Sequence, residues 1–238
     1  NTTTSLGLWK NNKLSMTNNI ENNKLFIALK KYLKRDIDEI LFTSVIGTKE
    51  NKLIIDRLKK IFKSNIKQIK SSSSLLGVSN GYMQPTKLGD DRWATIVASS
   101  LLHEEPLIIV DCGTAISIDV VNAKGMHLGG YILGGFDGYG KSFKNAYHLK
   151  NLKIKEGAVS QKKYFPNKTE DGITEGYLLM VISAIENTYN QVKKNQNTPP
   201  KLLISGGYGQ IISKRLPIKN KYEPDLVLKS IGLIGNRL

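Results

Sequence analysis

Leu107-Ile108-Ile109-Val110-Asp111-Cys112-Gly113-Thr114-Ala115-Ile116-Ser117-Ile118-Asp119-Val120-Val121 decides how the chain is read. Leu107–Val110 is a continuous apolar run of buried-strand character, and Ile116–Val121 is a second strand. Between them, Asp111–Ala115 is a turn of small and hydroxyl residues. Gly113 lets the backbone bend tightly and approach a ligand. Backbone N–H groups at Gly113 and Thr114, with the Thr114 hydroxyl, can donate to phosphate oxygens, and Asp111 can hold a cation beside them. The same five residues also suit an Asx turn that closes a hairpin and binds nothing.

The strand pattern continues on both sides. Met126–Leu133 follows the turn Asn122–Gly125. Four glycines, Gly129, Gly130, Gly134 and Gly135, sit in or beside this strand, marking either a close backbone approach or a strained bend. Ile173–Val192 is the strongest helix, with Ile173, Tyr177, Met180, Val181, Ala184 and Thr188 on one face. Lys201–Ser205 is a strand, followed by the turn Gly206-Gly207 and helices at Tyr208–Ser213 and Asp225–Ile234.

Toward the amino terminus, Asn1–Ser5 reads as a polar turn running into a strand. Asn11-Asn12 is a hairpin turn and Lys13–Met16 the returning strand. Leu25–Leu33 and Leu53–Phe62 are helical, Ile40–Ile46 and Ile66–Ile69 are strands, and Ser71–Ser74 is a polar loop. This alternation argues an α/β class. A boundary near residue 105 gives two halves, 1–104 and 105–238, each opening with a strand, a polar turn and a second strand.

Leu88-Gly89-Asp90-Asp91-Arg92 precedes an apolar helix, Trp93–Leu102. Two carboxylates there are either a cap complementing the helix dipole or a site for chemistry. In the second reading a carboxylate accepts the proton of an attacking hydroxyl, and Arg92 pairs with a substrate carboxylate or with phosphoryl charge. Tyr82 lies close enough in sequence to orient the substrate. His103, His127 and His148 lack metal-ligand spacing and read as structural.

Composition narrows the classes. The 238 residues carry a net charge of +15. The lysines are spread over Lys24–Lys34, Lys52–Lys70, Lys141–Lys163 and Lys193–Lys221, with no compact block interleaved with aromatics, so nucleic acid is not the expected partner. Lysine-rich usage also suits a protein that handles anionic ligands. No apolar run reaches the roughly 20 residues that span a bilayer, and no secretory leader opens the chain. With Cys112 as the single cysteine no internal disulfide can form, and the cytoplasm is the simplest setting.

Taken in order, these residues resemble the type III pantothenate kinases. Gly89-Asp90-Asp91-Arg92 is similar to that family's Gly-x-Asp-Arg, and Asp111–Ala115 to its Asp-x-Gly-Thr-Ala. Gly129-Gly130-Tyr131-Ile132 and Gly206-Gly207 match two later glycine motifs, and Thr169 the family's substrate-contacting threonine. The resemblance implies two ribonuclease H-like domains with mixed β-sheets flanked by helices, ATP in the interdomain cleft, and a homodimer. It implies transfer of the ATP γ-phosphate to pantothenate, with Mg²⁺ and a monovalent cation, K⁺ or NH₄⁺. By position Asp91 is the proton acceptor, while Tyr82, Gly89, Asp90, Asp91, Arg92 and Thr169 surround pantothenate. Asn1, Thr2, Thr3, Thr4, Ser5, Thr114, Gly206 and Gly207 contact ATP, and Asp111 holds the monovalent cation. Two departures stand out. The family's first strand and its Asp-x-Gly precede what matches Asn1, so further residues are expected ahead of it. Leu133-Gly134 stands where the family has Pro-Gly. The alternatives are a non-catalytic relative acting as a transcriptional accessory factor, or a kinase for another hydroxyl substrate.

Overall fold

The computed structural model describes residues 3–32, 35–143, 165–196 and 198–238. The chain forms two compact units. The first comprises Asn1–Glu104, Lys124–Leu128 and Asp225–Leu238; the second comprises Glu105–Ala123 and Gly129–Pro224. Beyond the boundary near residue 105, two later segments, Lys124–Leu128 and the carboxy-terminal Asp225–Leu238, are counted with the first unit.

In the first unit, β1 (Thr3–Lys10) and β2 (Lys13–Glu21) form an antiparallel hairpin. Asn11 and Asn12 both take left-handed φ, 50° and 61°. A two-residue turn of the strand-matching hand needs positive φ at both positions, which asparagine tolerates. Thr3–Ser5, read from sequence as part of a polar turn, are strand residues, because they pair with Glu21, Ile20 and Asn19. β3 (Glu39–Phe42), α2 (Thr48–Ile61) and β4 (Asn65–Gln68) form a parallel crossover unit, whose two parallel strands need such a helix between them. The helix expected at Leu25–Leu33 is shorter, α1 (Leu25–Leu29), and continues as a tighter turn over Lys30–Tyr32; Leu33 lies outside the described residues. Ser74 is not only loop: β5 (Ser74–Leu75) and β6 (Val78–Ser79) make a small hairpin.

Helix α3 (Asp90–Ser100) buries every residue from Trp93 to Ser99. It packs on α7 (Leu226–Gly235). That helix in turn meets the β1 hairpin so closely that a Cβ on Gly232 would lie 2.3 Å from the Trp9 ring. This contact explains why the chain's end belongs with its beginning.

The second unit is built on a five-stranded mixed sheet, ordered β11 (Lys221–Tyr222), β10 (Lys201–Ser205), β7 (Leu107–Cys112), β8 (Ala115–Val121) and β9 (His127–Gly134). β8 runs antiparallel to β7, while β10 and β11 run parallel. Helices α4 (Phe136–Ser142), α5 (Thr169–Asn195) and α6 (Gly209–Arg215) flank it. Ile108, Val110, Ile116, Ile118, Leu202 and Ile204 of the sheet share a core with Tyr177, Leu178, Val181 and Ile185 of α5. Burying each such side chain contributes about 1.5–3 kcal/mol. The α5 stripe differs in part from its sequence reading: Ile185 is buried, whereas Met180 is 41% exposed.

Candidate active site

The first unit gathers Tyr82 and Gly89–Arg92. Gly89 caps α3, and its carbonyl accepts the first helical hydrogen bond, from Trp93 N at 2.9 Å. The two adjacent carboxylates are used differently. Asp90 accepts from Ser71 N at 2.8 Å and from Gln68 Nε2 at 3.1 Å, so its two oxygens tie α3 to the end of β4 and to the segment that follows it. Asp91 Oδ1 accepts from the Arg92 N–H at 2.8 Å. A Cβ on Gly89 would stand 2.8 Å from that oxygen, so the absence of a side chain makes room for the Asp91 carboxylate.

Arg92 Nη1 donates to Tyr82 Oη at 3.0 Å, and its guanidinium carbon lies 5.6 Å from the Tyr82 ring centroid. Tyr82 is itself placed by Asn80, whose Oδ1 accepts from Tyr82 N at 3.0 Å while its amide donates to Ser72 O at 3.0 Å. Sequence reasoning missed Asn80; the Asn80-Gly81 pair, a turn-forming dipeptide, was its only signal. Asp90 is expected to anchor rather than react. Asp90→Ala should lower unfolding stability by about 1–3 kcal/mol through two lost charge-assisted hydrogen bonds, read as a lower urea midpoint at constant slope. An unchanged midpoint would move the anchoring role elsewhere.

In the second unit, three segments converge where β7 and β10 end. The Asp111–Ala115 turn is tighter than its sequence reading, because β7 runs through Cys112 and only Gly113-Thr114 links it to Ala115. Thr114 O accepts from Gly135 N at 3.1 Å, and a Cβ on Gly135 would lie 2.4 Å from that same oxygen. Gly206 has φ +86°, and its Cβ would lie 2.4 Å from Cys112 O. Ser205 pairs with Asp111 across the strands. Gly207, by contrast, has nothing within 4 Å of where its Cβ would be. Thr114 is exposed and Asp111 half-buried at this edge.

The remaining glycines divide by role. Gly130 is required by strand packing, since its Cβ would fall 1.8 Å from Ile118 O. Gly134 ends β9, and its carbonyl accepts from Tyr177 Oη at 3.2 Å. Burial, and then the nearby Cys112 and Asp137, push the Tyr177 phenol up to about 12. Burial, with Asp111 adding to it, pushes the Cys112 thiol up as well, which keeps it protonated and unreactive.

Of the other sequence-derived site residues, Thr169 is the exposed first residue of α5 in the second unit. Thr4 Oγ1 donates to Asn22 Oδ1 and Ser5 Oγ to Asn19 Oδ1, both at 2.7 Å. Asn1, Thr2 and His148 lie outside the described residues. Among the described residues no three His, Cys, Asp or Glu side chains gather to hold a metal ion. None of the described helices is long and apolar enough to cross a membrane.

Glycine-walled strand ends beside an acidic residue suit a phosphate-bearing ligand, and a separate carboxylate–arginine pair at a helix start suits an anionic substrate. Comparison narrows this. The family model for type III pantothenate kinase matches residues 1–191. A type III pantothenate kinase from Acinetobacter baumannii (strain ACICU) is 32% identical over 212 residues, covering 87% of this chain and 81% of that one. One from Marinomonas sp. (strain MWYL1) is 30% identical over 198 residues, covering 83% and 78%. A crystal structure from Campylobacter jejuni, of a protein assigned to the Baf family of transcriptional activators, shares the fold with a TM-score of 0.61 at 21% identity, over 93% of this chain and 90% of that one. The chain belongs to the type III pantothenate kinase family.

Proposed function

We propose that this chain transfers the γ-phosphoryl group of ATP to the primary hydroxyl of pantothenate, the first step toward coenzyme A. The observation that carries the reading is the start of α3 in a chain of this family: Asp90 is bound on both oxygens, while Arg92, next to Asp91, donates to Tyr82. In the reaction the pantothenate hydroxyl oxygen bonds to the γ-phosphorus. The bond from that phosphorus to the β–γ bridging oxygen breaks, and its electron pair leaves with ADP. The hydroxyl proton passes to the Asp91 carboxylate, and Arg92 pairs with the substrate carboxylate. Gly89, Asp90 and Tyr82 shape that pocket, and Thr169 is assigned to pantothenate by the family resemblance alone.

The nucleotide is assigned to Thr114, Gly206 and Gly207 at the strand ends of the second unit, and the family resemblance assigns Asn1, Thr2, Thr3, Thr4 and Ser5 to it as well. The Thr4 and Ser5 hydroxyls, already donating to asparagines, remain able to accept. Asp111 is a hard oxygen ligand at the strand end and fits a cation shared with phosphate oxygens. With no acidic cage among the described residues, Mg²⁺ fits as an ion carried on the nucleotide, where it neutralises phosphate charge. K⁺ or NH₄⁺ is assigned to Asp111. Asp111→Ala is expected to weaken ATP use and to flatten the K⁺ dependence of turnover; a K⁺ titration matching wild type would remove that assignment. A cytoplasmic homodimer fits the edge strand β9, which leaves Leu128, Tyr131 and Ile132 about half exposed or more.

The test is ADP release by the full-length protein with ATP and pantothenate, with and without K⁺. Pantothenate-dependent, K⁺-stimulated release is the expected result. Absence of turnover would shift the reading to another hydroxyl substrate or to a non-catalytic binding role.

A further inference from the structure

We infer that His127 is a positioning residue for the acceptor site, acting on Arg92 through the ring of Tyr82. The inference rests on the reading of Arg92 as the group that pairs with the substrate carboxylate.

His127 opens β9, counts with the first unit and is fully buried. Its imidazole stacks on Tyr82, with ring centroids 5.8 Å apart and planes 22° from parallel. The edge and face of Tyr82 are thus both engaged: the hydroxyl accepts from Arg92 Nη1, the guanidinium lies against the ring, and His127 backs the ring. Tyr82 stands in an irregular segment, where no helix or strand fixes its χ angles. A flat partner behind the ring restricts its plane, and the plane sets where the phenol oxygen meets Arg92. Offset stacking and cation–π contacts together favour one rotamer of a long cation.

Backbone contacts that do not involve the imidazole also seat this segment. Ser79 N donates to Gly125 O at 3.0 Å, Ser79 bridges to Met126, and Gly81 packs so tightly on the His127 carbonyl that a Cβ there would lie 1.9 Å from it. Replacing the ring should therefore leave the loop in place and free only the side chains.

The experiment compares wild type with His127→Leu, which has similar volume but no flat face, and His127→Phe, which restores one. His127→Gln serves if the leucine variant does not fold. Two readouts are taken on the full chain: steady-state kinetics for both substrates, and ¹⁵N NMR of the Arg92 guanidinium. Loss of the flat face should raise KM for pantothenate about tenfold, leave kcat and KM for ATP within about twofold, and be rescued by phenylalanine. The Arg92 Nη signals, distinct in wild type, should average in His127→Leu. An unchanged Arg92 spectrum overturns the inference, as does an equal loss in both KM values. Averaged Arg92 signals in a protein that does not phosphorylate pantothenate would leave the positioning role standing and refute the substrate instead.

Discussion

Asp91→Asn is expected to lower kcat by about 10²–10⁴-fold, the range for losing a general base, while KM for ATP stays within about twofold of wild type. The substitution isolates chemistry from architecture. Asp91 Oδ1 accepts from the Arg92 N–H, and an asparagine carbonyl at the same place can accept that bond too. The capped start of α3 and the Arg92–Tyr82 contact are then retained, and only the capacity to take a proton is gone. Asp90→Asn should separate from it, since Asp90 has both oxygens occupied by Ser71 and Gln68. Steady-state kinetics with saturating ATP and pantothenate decide the matter; an Asp91→Asn enzyme turning over at the wild-type rate would take the base role away from this residue.

Gly206→Ala is expected to raise KM for ATP at least tenfold. A left-handed residue with a Cβ costs about 1–2 kcal/mol by itself, and 1.4 kcal/mol is a factor of ten in binding. Here the added carbon would also meet the Cys112 backbone at 2.4 Å to its oxygen and 2.7 Å to its nitrogen. Neither atom is a flexible side-chain end, so β7 and β10 must part where Asp111 pairs with Ser205. The adjacent Gly207 has no protein atom within 4 Å of where its Cβ would be, so the steric demand on the turn falls on Gly206. A Gly206→Ala protein with normal ATP kinetics would show that nucleotide binding does not depend on this strand end.

Much of the second unit was legible in the sequence because its signals are local. Lys201–Ser205 is a strand both as expected from sequence and in the fold. The hydroxyl and glycine residues at 111–115 mark a turn wherever the rest of the chain goes. Glycine pairs were legible as special but not in kind. Gly130 answers to the neighbouring strand, Gly135 to the Gly113-Thr114 turn and Gly206 to Cys112, and each partner is remote in sequence. The amino-terminal residues were misread for a related reason. Thr3–Ser5 look like turn residues alone, and become a strand only because β2 supplies the partner.

The candidate site divides the same way. The Gly89-Asp90-Asp91-Arg92 run placed two carboxylates and a cation at a helix start from sequence alone, since a helix entrance is specified by its own few residues. Which carboxylate is left for chemistry depended on Ser71 and Gln68 reaching Asp90. That Tyr82 is backed by His127, a residue of structural appearance in sequence, depended on β9 beginning beneath it. Sequence by itself determined the α/β class and the residues that carry charge and turn, because propensity, capping and apolar periodicity act over a few residues. Only the tertiary structure decided which of those residues are anchored and which are presented, because hydrogen bonds and ring contacts are made between segments that the chain brings together by burying its core.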